Sequence, residues 1–579
     1  MKDKSKEIIK KVLNNKYFDL ILIIFINIIF FIFCNNIFTL KYEQVDDFMI
    51  MNLISKSDGI YSVYGIQIHP IICAIIILLY KTSININWYT VFLLFMQFIS
   101  FTIIGTVFLK KNRIEGLMLY IVTIIMVYTQ MICYIQYTTV SMLCLTSGLV
   151  LLMHALEDSE NVNKFCYILS VLMITIGCMI RFSTVIIAIP FLLIYFICKL
   201  IKDKKIKILK VSLILILAIL LVNISFNIFY NINPIYKEFL KFHDARTYLH
   251  DYNILEYYEN KEIFDKVGWS KNDRDLFYAY IYGDEETYNT KVLEEIKENV
   301  SKTGASITDF KENILGTYKE LVESMRKINY KYFFINIVIL VIFNNILIFS
   351  NIKNIIDKKE NYIKLYYINL IFLSIIFLHG IFIYLKRPMF RVVISIYIIG
   401  MIALMYELLK ESKTQKMKII KFLCMFIILF VGVLEFGKNT IKAQKHNIEE
   451  FKIYKEIIEY TNLNKDNVYL YTLVMHDRYY AYSVYEKIPD NLFSNIRPLG
   501  DWDTYSENYY AFKERCNIDN LIKSLYEKDN VYLICGNILW REDIDMIKVF
   551  IKEHYNIDIK ANVIKEFEKD IKIYKLEQI

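Results

Sequence analysis

Residues 18–38 read FDLILIIFINIIFFIFCNNIF, with Asp19 as their one charged side chain. About 20 apolar residues, at a rise of 1.5 Å each, are enough for a helix to cross the hydrocarbon layer of a membrane. Six lysines stand in residues 1–16, and no small-residue cleavage site follows the run. We therefore interpret it as a retained signal anchor rather than a cleaved signal peptide.

Similar runs recur along the chain. Of its 579 residues, 56% are apolar and 22% are charged, which is more apolar than a soluble domain. The further predicted spans are 88–109, 116–134, 138–155, 165–180, 183–200, 211–230, 332–349, 368–385, 392–409 and 419–436. This pattern predicts an α-helical polytopic membrane protein with about 11 transmembrane helices. It excludes a soluble enzyme, a nucleic-acid-binding module and a disordered tail protein.

The orientation follows from the basic residues, because lysine and arginine in short loops stay in the cytoplasm. The apolar core of block 69–81 is only about ten residues long, short for a span. If it is not a span, Lys110, Lys111, Arg113 and the lysines of 199–210, 353–359 and 410–421 are all cytoplasmic. We therefore predict a cytoplasmic N-terminus and an outward interfacial helix at 69–81.

Three hydrophilic pieces then face outward. They are the first loop (39–87), a large loop (231–331) with two amphipathic helices in 291–327, and the C-terminal region. We expect a transmembrane module at 1–436 and a small extracytoplasmic α/β domain at 437–579. In that domain the pattern predicts helices 448–460 and 543–554 and strands 467–473 and 530–535. Cys516 and Cys535 either pair there or stay reduced.

The titratable residues near the spans fall at one predicted level, the outer one. They are Asp46, Asp47, Asp58, His69, Arg181, His379, Lys386, Arg387, Arg391 and Glu435. Between their ends the spans hold almost no ionisable residue, which argues against an ion-coupled transporter, because such proteins carry charged relays inside the membrane. The distribution predicts a polar site at the outer membrane interface.

The order of several short motifs carries a resemblance. They are YEQVDDFM at 42–49, Gly-Ile-Tyr from Gly59, His69-Pro70 before a short apolar helix, Lys110-Lys111 closing a span, QYTTVSM at 136–142, Arg181-Phe-Ser and KRPMFR at 386–391. In this layout, residues 17–410 resemble the GT-C superfamily of membrane glycosyltransferases, of the protein-mannosyltransferase kind. His69-Pro70 matches only half of the family's Lys/Arg-Pro-Pro opening.

The resemblance implies a GT-C-like fold and transfer of a sugar from a polyprenyl-phosphate donor to an acceptor hydroxyl on the outer face of the cell membrane. Asp46 or Asp47 would be the general base. A divalent cation bound by the pair is a further option for the cofactor. The implied partners are membrane lipid, the lipid-linked donor and a glycan, lipid or protein acceptor of the cell envelope, with no nucleic acid. The residues expected to bind substrate, the arginines through the donor phosphate, are Arg181, Lys386, Arg387, Arg391, His69 and His379.

Other functions remain open on the sequence. A flippase or transporter of lipid-linked sugar would need charged residues at mid-membrane depth, and a polysaccharide polymerase would not need the acidic pair after the first span. The C-terminal domain, read as acceptor-binding or structural, would itself be the working part of a sensory or structural protein. Its loops 498–503 and 476–478 either contact a sugar or form simple turns.

Overall fold

The computed structural model describes residues 17–82, 85–157, 164–203, 206–302, 307–350, 355–410, 414–444, 451–538 and 541–579. The basic segment 1–16 and the start of the predicted helix 448–460 lie outside these residues. Most of the described chain is helical, as the apolar runs predict.

The first ten α-helices contain most of the long apolar runs of the N-terminal half, and a short π-helix, Ile124–Tyr128, links the fifth and sixth of them. Their bounds are α1 (Phe18–Ile37), α2 (Val45–Ser55), α3 (Pro70–Thr82), α4 (Trp88–Lys111), α5 (Arg113–Thr123), α6 (Thr129–Cys133), α7 (Tyr137–Glu157), α8 (Lys164–Ile180), α9 (Thr184–Asp203) and α10 (Ile206–Ile232).

The remaining helices include shorter ones with polar surfaces. Their bounds are α11 (Pro234–Thr247), α12 (Lys261–Lys266), α13 (Lys271–Tyr278), α14 (Thr290–Lys302), α15 (Ile307–Arg326), α16 (Ile328–Ser350), α17 (Ile355–Tyr384), α18 (Phe390–Leu408), α19 (Gln415–Gln444), α20 (Lys452–Leu463), α21 (Glu507–Arg515), α22 (Leu521–Glu527) and α23 (Asp543–Tyr555).

Within the described residues, ten helical segments are long and apolar enough to span a membrane. They are Phe18–Ile37, Trp88–Lys111, Arg113–Cys133, Tyr137–Glu157, Thr184–Asp203, Ile206–Ile232, Asn329–Ser350, Lys359–Tyr384, Phe390–Leu408 and Gln415–Lys438. The other predicted span, 165–180, is the 17-residue helix α8, and the block demoted from span to interfacial helix is the 13-residue helix α3. The chain is therefore a multi-pass α-helical membrane protein, as predicted.

The chain divides into two compact units. The first, here called the span unit, consists of Met1–Glu43, Thr90–Ile224 and Lys311–His446. The second, here called the sheet unit, consists of Gln44–Tyr89, Ser225–Phe310 and Asn447–Ile579. The sheet unit thus draws on all three pieces of chain that the sequence predicts to face outward, whereas a domain boundary at 437 stays a prediction.

In the span unit, α7 and α8 pack closely because each presents a glycine to the other. Ser141 Oγ donates to Gly177 O (2.7 Å), and Ser170 Oγ donates to Gly148 O (2.8 Å). Small residues let helix backbones approach in a membrane, where such hydrogen bonds have no water to compete with them. The reciprocal pair fixes the register of the two helices.

An ion-pair cluster joins the ends of α4, α7 and α18 in the span unit. Glu157 at the end of α7 binds Lys111 Nζ (2.6 Å) and Lys410 Nζ (2.9 Å), and Lys410 also binds Glu407 (2.6 Å). These lysines belong to the loops that the sequence places in the cytoplasm. Paired charges at helix ends are typical of the membrane boundary.

The sheet unit is built on five strands in the order β4-β3-β5-β9-β8. The strands of the chain are β1 (Lys41–Tyr42), β2 (Tyr134–Ile135), β3 (Val468–Tyr471), β4 (Ile496–Pro498), β5 (Val531–Cys535), β6 (Asn537–Ile538), β7 (Arg541–Glu542), β8 (Ile559–Glu566) and β9 (Lys572–Gln578). Strand β3 runs parallel to β4 and β5, whereas β9 is antiparallel to β5 and β8. Strands β3 and β5 and helices α20 and α23 confirm the predicted α/β character, and β4, β8 and β9 were not predicted.

The core of the sheet unit combines side chains from the large loop and from the C-terminal region. Phe242, Trp269 and Tyr288 are buried in one cluster with Leu533 and Phe550. Trp269 Nε1 donates to Thr287 O (3.1 Å), which satisfies the indole inside this core. The large loop is thus an integral part of the sheet unit.

Candidate active site

The two adjacent carboxylates lie in the first turn of α2. Asp47 is fully buried, and its Oδ1 accepts a hydrogen bond from Tyr89 Oη (2.8 Å). Asp46 is half-buried. Both stand in the first turn of α2, and free backbone N–H groups at a helix N-terminus favour negative charge. The structure gives the pair two different environments: Asp47 is held by a tyrosine inside the unit, and Asp46 reaches the surface.

His69 lies immediately before α3 and is 1% exposed. Its Nδ1 accepts from the backbone N–H of Ile71 (3.3 Å), and its Nε2 lies 2.9 Å from Ser225 Oγ. The accepting Nδ1 puts the proton on Nε2, so the ring is neutral and donates to Ser225. Burial lowers the pKa of His69, which agrees with a neutral imidazole that caps α3.

A 3₁₀ segment after β3, Leu473–Ala481, packs on the helix that carries the carboxylates. Arg478 of this segment is 6% exposed and donates to Met475 O and Met49 Sδ, both at 3.1 Å. Its guanidinium also stands 5.8 Å from the ring centre of Phe48. Since Phe48 and Met49 directly follow Asp47, Arg478 supports the turn of α2 that holds the acidic pair.

A second polar cluster surrounds Arg497, which follows the start of β4. Arg497 forms a buried ion pair with Asp503 (2.7 Å), and Asp58 lies near both. A cavity of about 20 Å³, room for one water, is lined by these three residues and Arg478. Burial and the negative charge of Asp503 raise the pKa of Asp58 to about 6, against the opposing effect of the arginines.

In the span unit, Arg181 lies between α8 and α9. Its Nε donates to Ser183 Oγ (2.9 Å), it hydrogen-bonds the hydroxyl of Thr138, and its guanidinium stands 5.1 Å from the ring centre of Tyr137. It is half-buried. These contacts fix the guanidinium plane and leave part of it accessible.

The remaining basic candidates lie where α17 turns into α18. Lys386 is exposed and has a φ of 54°, in the left-handed region, while Arg387 is half-buried and Arg391 is 7% exposed. His379, inside α17, is fully buried between Ser324 Oγ (3.0 Å to Nε2) and Tyr397 Oη (2.9 Å to Nδ1). Both of its nitrogens have protein partners, which is the arrangement of a histidine that ties helices together.

The structure thus groups the predicted residues in two sets. Asp46, Asp47 and His69 belong to the sheet unit. Arg181, His379, Lys386, Arg387 and Arg391 belong to the span unit. Their roles in binding or catalysis stay predictions.

Sequence reasoning missed the cluster around Arg497, Asp503 and Asp58. The loops 476–478 and 498–503 stood out in the sequence, but the short strand β4 that aligns the second one did not. Two parallel strands with polar residues after each would have been the signal, because the carboxyl ends of such strands meet at one sheet edge.

Within the described residues, no third potential metal ligand joins the acidic pair. Among the described residues, one group of three potential ligands comes within 4.8 Å, namely Asp273, Glu553 and His554. Asp46 and Asp47 are not part of it. His554 Nε2 binds Asp273 Oδ1 (2.8 Å), and Asp273 also closes a capping box with Ser270 at the start of α13. This trio is accounted for by an ion pair and a helix cap.

No protein-family model matches the chain, and no curated protein matches it either. Two solved structures share its layout at low identity. ArnT from Cupriavidus metallidurans in the apo state has a TM-score of 0.41 and 9% identity, over 96% of this chain and 97% of that one. The same protein bound to undecaprenyl phosphate has a TM-score of 0.40 and 8% identity, over 97% and 98%. A likeness at this level identifies neither a family nor an activity.

Proposed function

We propose that this protein is a membrane glycosyltransferase that moves a sugar from a polyprenyl-phosphate donor to an acceptor hydroxyl. The observation that carries the proposal is the acidic pair on α2, with Asp47 buried against Tyr89 and Asp46 at the surface. A base must reach the proton that it removes. Asp46 is the accessible carboxylate, so we assign the base to Asp46 and a positioning role to Asp47.

In the reaction, a carboxylate oxygen of Asp46 takes the proton of the acceptor hydroxyl. The acceptor oxygen forms a bond to the anomeric carbon of the sugar as the bond from that carbon to the phosphate oxygen breaks. The electron pair leaves with the polyprenyl phosphate. Arg181, Arg387 and Arg391, with Lys386, are the proposed ligands of that phosphate, because guanidinium binds phosphate oxygens in a fork and stays ionised.

Replacing the acids one at a time tests the assignment. In full-length protein reconstituted in lipid, with a labelled polyprenyl-phosphate sugar and membrane extract as acceptor, Asp46→Asn should lower transfer by about 10²–10⁴-fold, the usual contribution of a general base. Because the amide has nearly the size of the carboxylate and Asp46 is half-buried, its melting temperature should fall less than that of Asp47→Asn. Asp47→Asn should lower both transfer and melting temperature.

Asp545→Asn is the matched control, since Asp545 is an exposed carboxylate on α23 of the same unit. It should keep full activity. Full transfer by Asp46→Asn would remove the proposed base, and movement of the labelled lipid across the bilayer without transfer would favour a flippase.

A further inference from the structure

Buried charged residues lie at the carboxyl ends of the parallel strands in the sheet unit, among them Arg478 after β3 and Asp503 after β4. The chain runs from β3 to β4 on one side and later to β5 on the other side, so the strand order reverses at β3. Ligands of open parallel sheets bind outside the carboxyl ends of the strands at such a reversal. Here β3 is followed by the segment with Arg478, and β4 is followed by Asp501, Trp502 and Asp503.

The charges at this edge balance. Asp58, Asp501 and Asp503 interact electrostatically with Arg246, Arg478 and Arg497. Arg515 and Asp251 extend the network by one charge of each sign. A phosphate would be repelled by as many carboxylates as there are guanidinium groups to attract it. A cation would meet the same balance with the signs exchanged. The edge therefore favours a neutral ligand.

Several buried polar atoms here have no hydrogen-bond partner within the described part of the chain. They are Asp503 Oδ1, Trp502 Nε1, Arg246 Nε, Tyr282 Oη and both amide atoms of Asn508. Asp503 and Asn508 are 2% exposed and Arg246 is 4% exposed. A buried polar group without a hydrogen-bond partner destabilises the fold, and native proteins contain few such groups. This concentration of donors and acceptors points to a ligand that supplies both.

The loop after β4 is built close against an aromatic segment. A Cβ on Gly500 would lie 2.7 Å from Tyr280 O and 3.0 Å from the ring of Tyr282. Tyr280 itself has a φ of 58°, which is uncommon for a residue with a side chain. Asp501 and Trp502 are half-buried, so this loop is the part of the edge nearest to solvent, whereas Asp503 is buried. Aromatic faces beside hydrogen-bonding groups suit the C–H faces and hydroxyls of a sugar ring.

We propose that Arg246, Tyr282 and the loop Asp501–Asn508 form a subsite for a neutral carbohydrate. Each sugar hydroxyl both donates and accepts, which matches the mixed set of buried atoms. The edge adjoins α2 through the contact of Arg478 with Met49, so the bound sugar belongs to the acceptor. That last assignment, unlike the binding itself, rests on the glycosyltransferase function proposed above.

Asn508→Leu is the decisive variant. Both amide atoms of Asn508 lack partners, so an apolar side chain of similar size should leave the melting temperature unchanged or raise it. Full-length protein in lipid nanodiscs, without donor lipid, is applied to an array of neutral, carboxylated and amine-bearing oligosaccharides. We expect the wild type to bind neutral glycans and Asn508→Leu to bind them with an affinity at least tenfold lower.

Asn495→Leu is the matched control. Asn495 is buried in the same unit, but its amide donates to Thr461 O and Asn467 O, both at 2.9 Å. This variant should lower the melting temperature and keep glycan binding. The proposal is overturned if the wild type binds no neutral glycan or if Asn508→Leu binds like the wild type. Asp46→Asn should lose transfer and keep glycan binding. Wild-type protein that binds neutral glycan but transfers no sugar would refute only the proposed reaction.

Discussion

Two buried histidines, His69 and His379, lie among the candidate site residues. His69 and His379 are expected from the sequence to bind substrate. Each ring has protein partners in the structure: Ser225 and the Ile71 amide for His69, Ser324 and Tyr397 for His379. Substrate binding by either histidine stays a prediction. The residue types near the spans can be read from the chain. Their side-chain hydrogen-bond partners, which lie 18 to 156 positions away, cannot.

Asp58 gives a prediction about pH. The folded protein holds the proton of this carboxyl up to about pH 6, against an ordinary pKa of 3.8, so between those values the folded state binds more protons than the unfolded one. Stability from this group is present below about pH 4 and falls as the pH rises through 6. Asp58→Asn removes this pH-dependent contribution to the free energy of unfolding.

We therefore expect the melting temperature of Asp58→Asn relative to the wild type to rise between pH 4 and pH 7. The change in relative stability should be about 2–3 kcal/mol, at 1.36 kcal/mol per pKa unit. Thermal unfolding of both proteins in the same detergent at each pH measures it. Parallel curves would contradict the raised pKa of this carboxyl.

Among the strands of the sheet unit, continuous apolar runs are predicted from the sequence, whereas short or mixed segments are not. β3 and β5 are continuous apolar runs and were predicted. β4 has three residues and ends at Pro498, which is too short for a pattern. β8 and β9 mix charged and apolar residues without a regular alternation. β8 is mostly exposed, and β9 buries only Ile573 and Leu576, so neither strand has a continuous apolar face.

The glycines between α7 and α8 give a prediction for a helix pair. A Cβ on Gly148 would lie 2.6 Å from Ile174 Cγ1 and 2.9 Å from Ser170 O, so Gly148→Ala should push the helices apart and lower the melting temperature by several degrees. Gly437→Ala is the control, because nothing lies within 4 Å of the added carbon on α19. It should be neutral or stabilising. Equal melting temperatures for the two variants would show that α7 and α8 do not need this close approach.

At the scale of the whole molecule, the sequence predicts the membrane class, the span positions and the short helix α3. It does not predict that residues 44–89, 225–310 and 447–579 form one compact unit. A hydropathy profile shows these segments as separate hydrophilic loops, because membrane spans lie between them in the sequence. Their association depends on long-range packing, such as Phe242 and Trp269 against Phe550, which no local pattern contains.

The orientation of the chain is open to a direct measurement. A reporter fused after Asn85, which precedes α4, should be active outside the cytoplasm, because the lysines of the alternate loops hold the other side. A fusion after Asn112, between α4 and α5, should give the opposite signal. If Asn85 reports from the cytoplasm, the sheet unit is cytoplasmic and transfer on the outer face is excluded.

The discontinuous sheet unit has a consequence for synthesis in the cell. Its segments leave the ribosome at widely separated times, and strand β9 pairs between β5 and β8. The buried faces of residues 44–89 and 225–310 must therefore wait for residues 447–579 to be made, while the spans between them are inserted. Long-range pairing of this kind is slow and leaves apolar surface exposed to aggregation. Until β9 pairs between β5 and β8, the maturing chain therefore exposes apolar faces that the finished sheet unit buries.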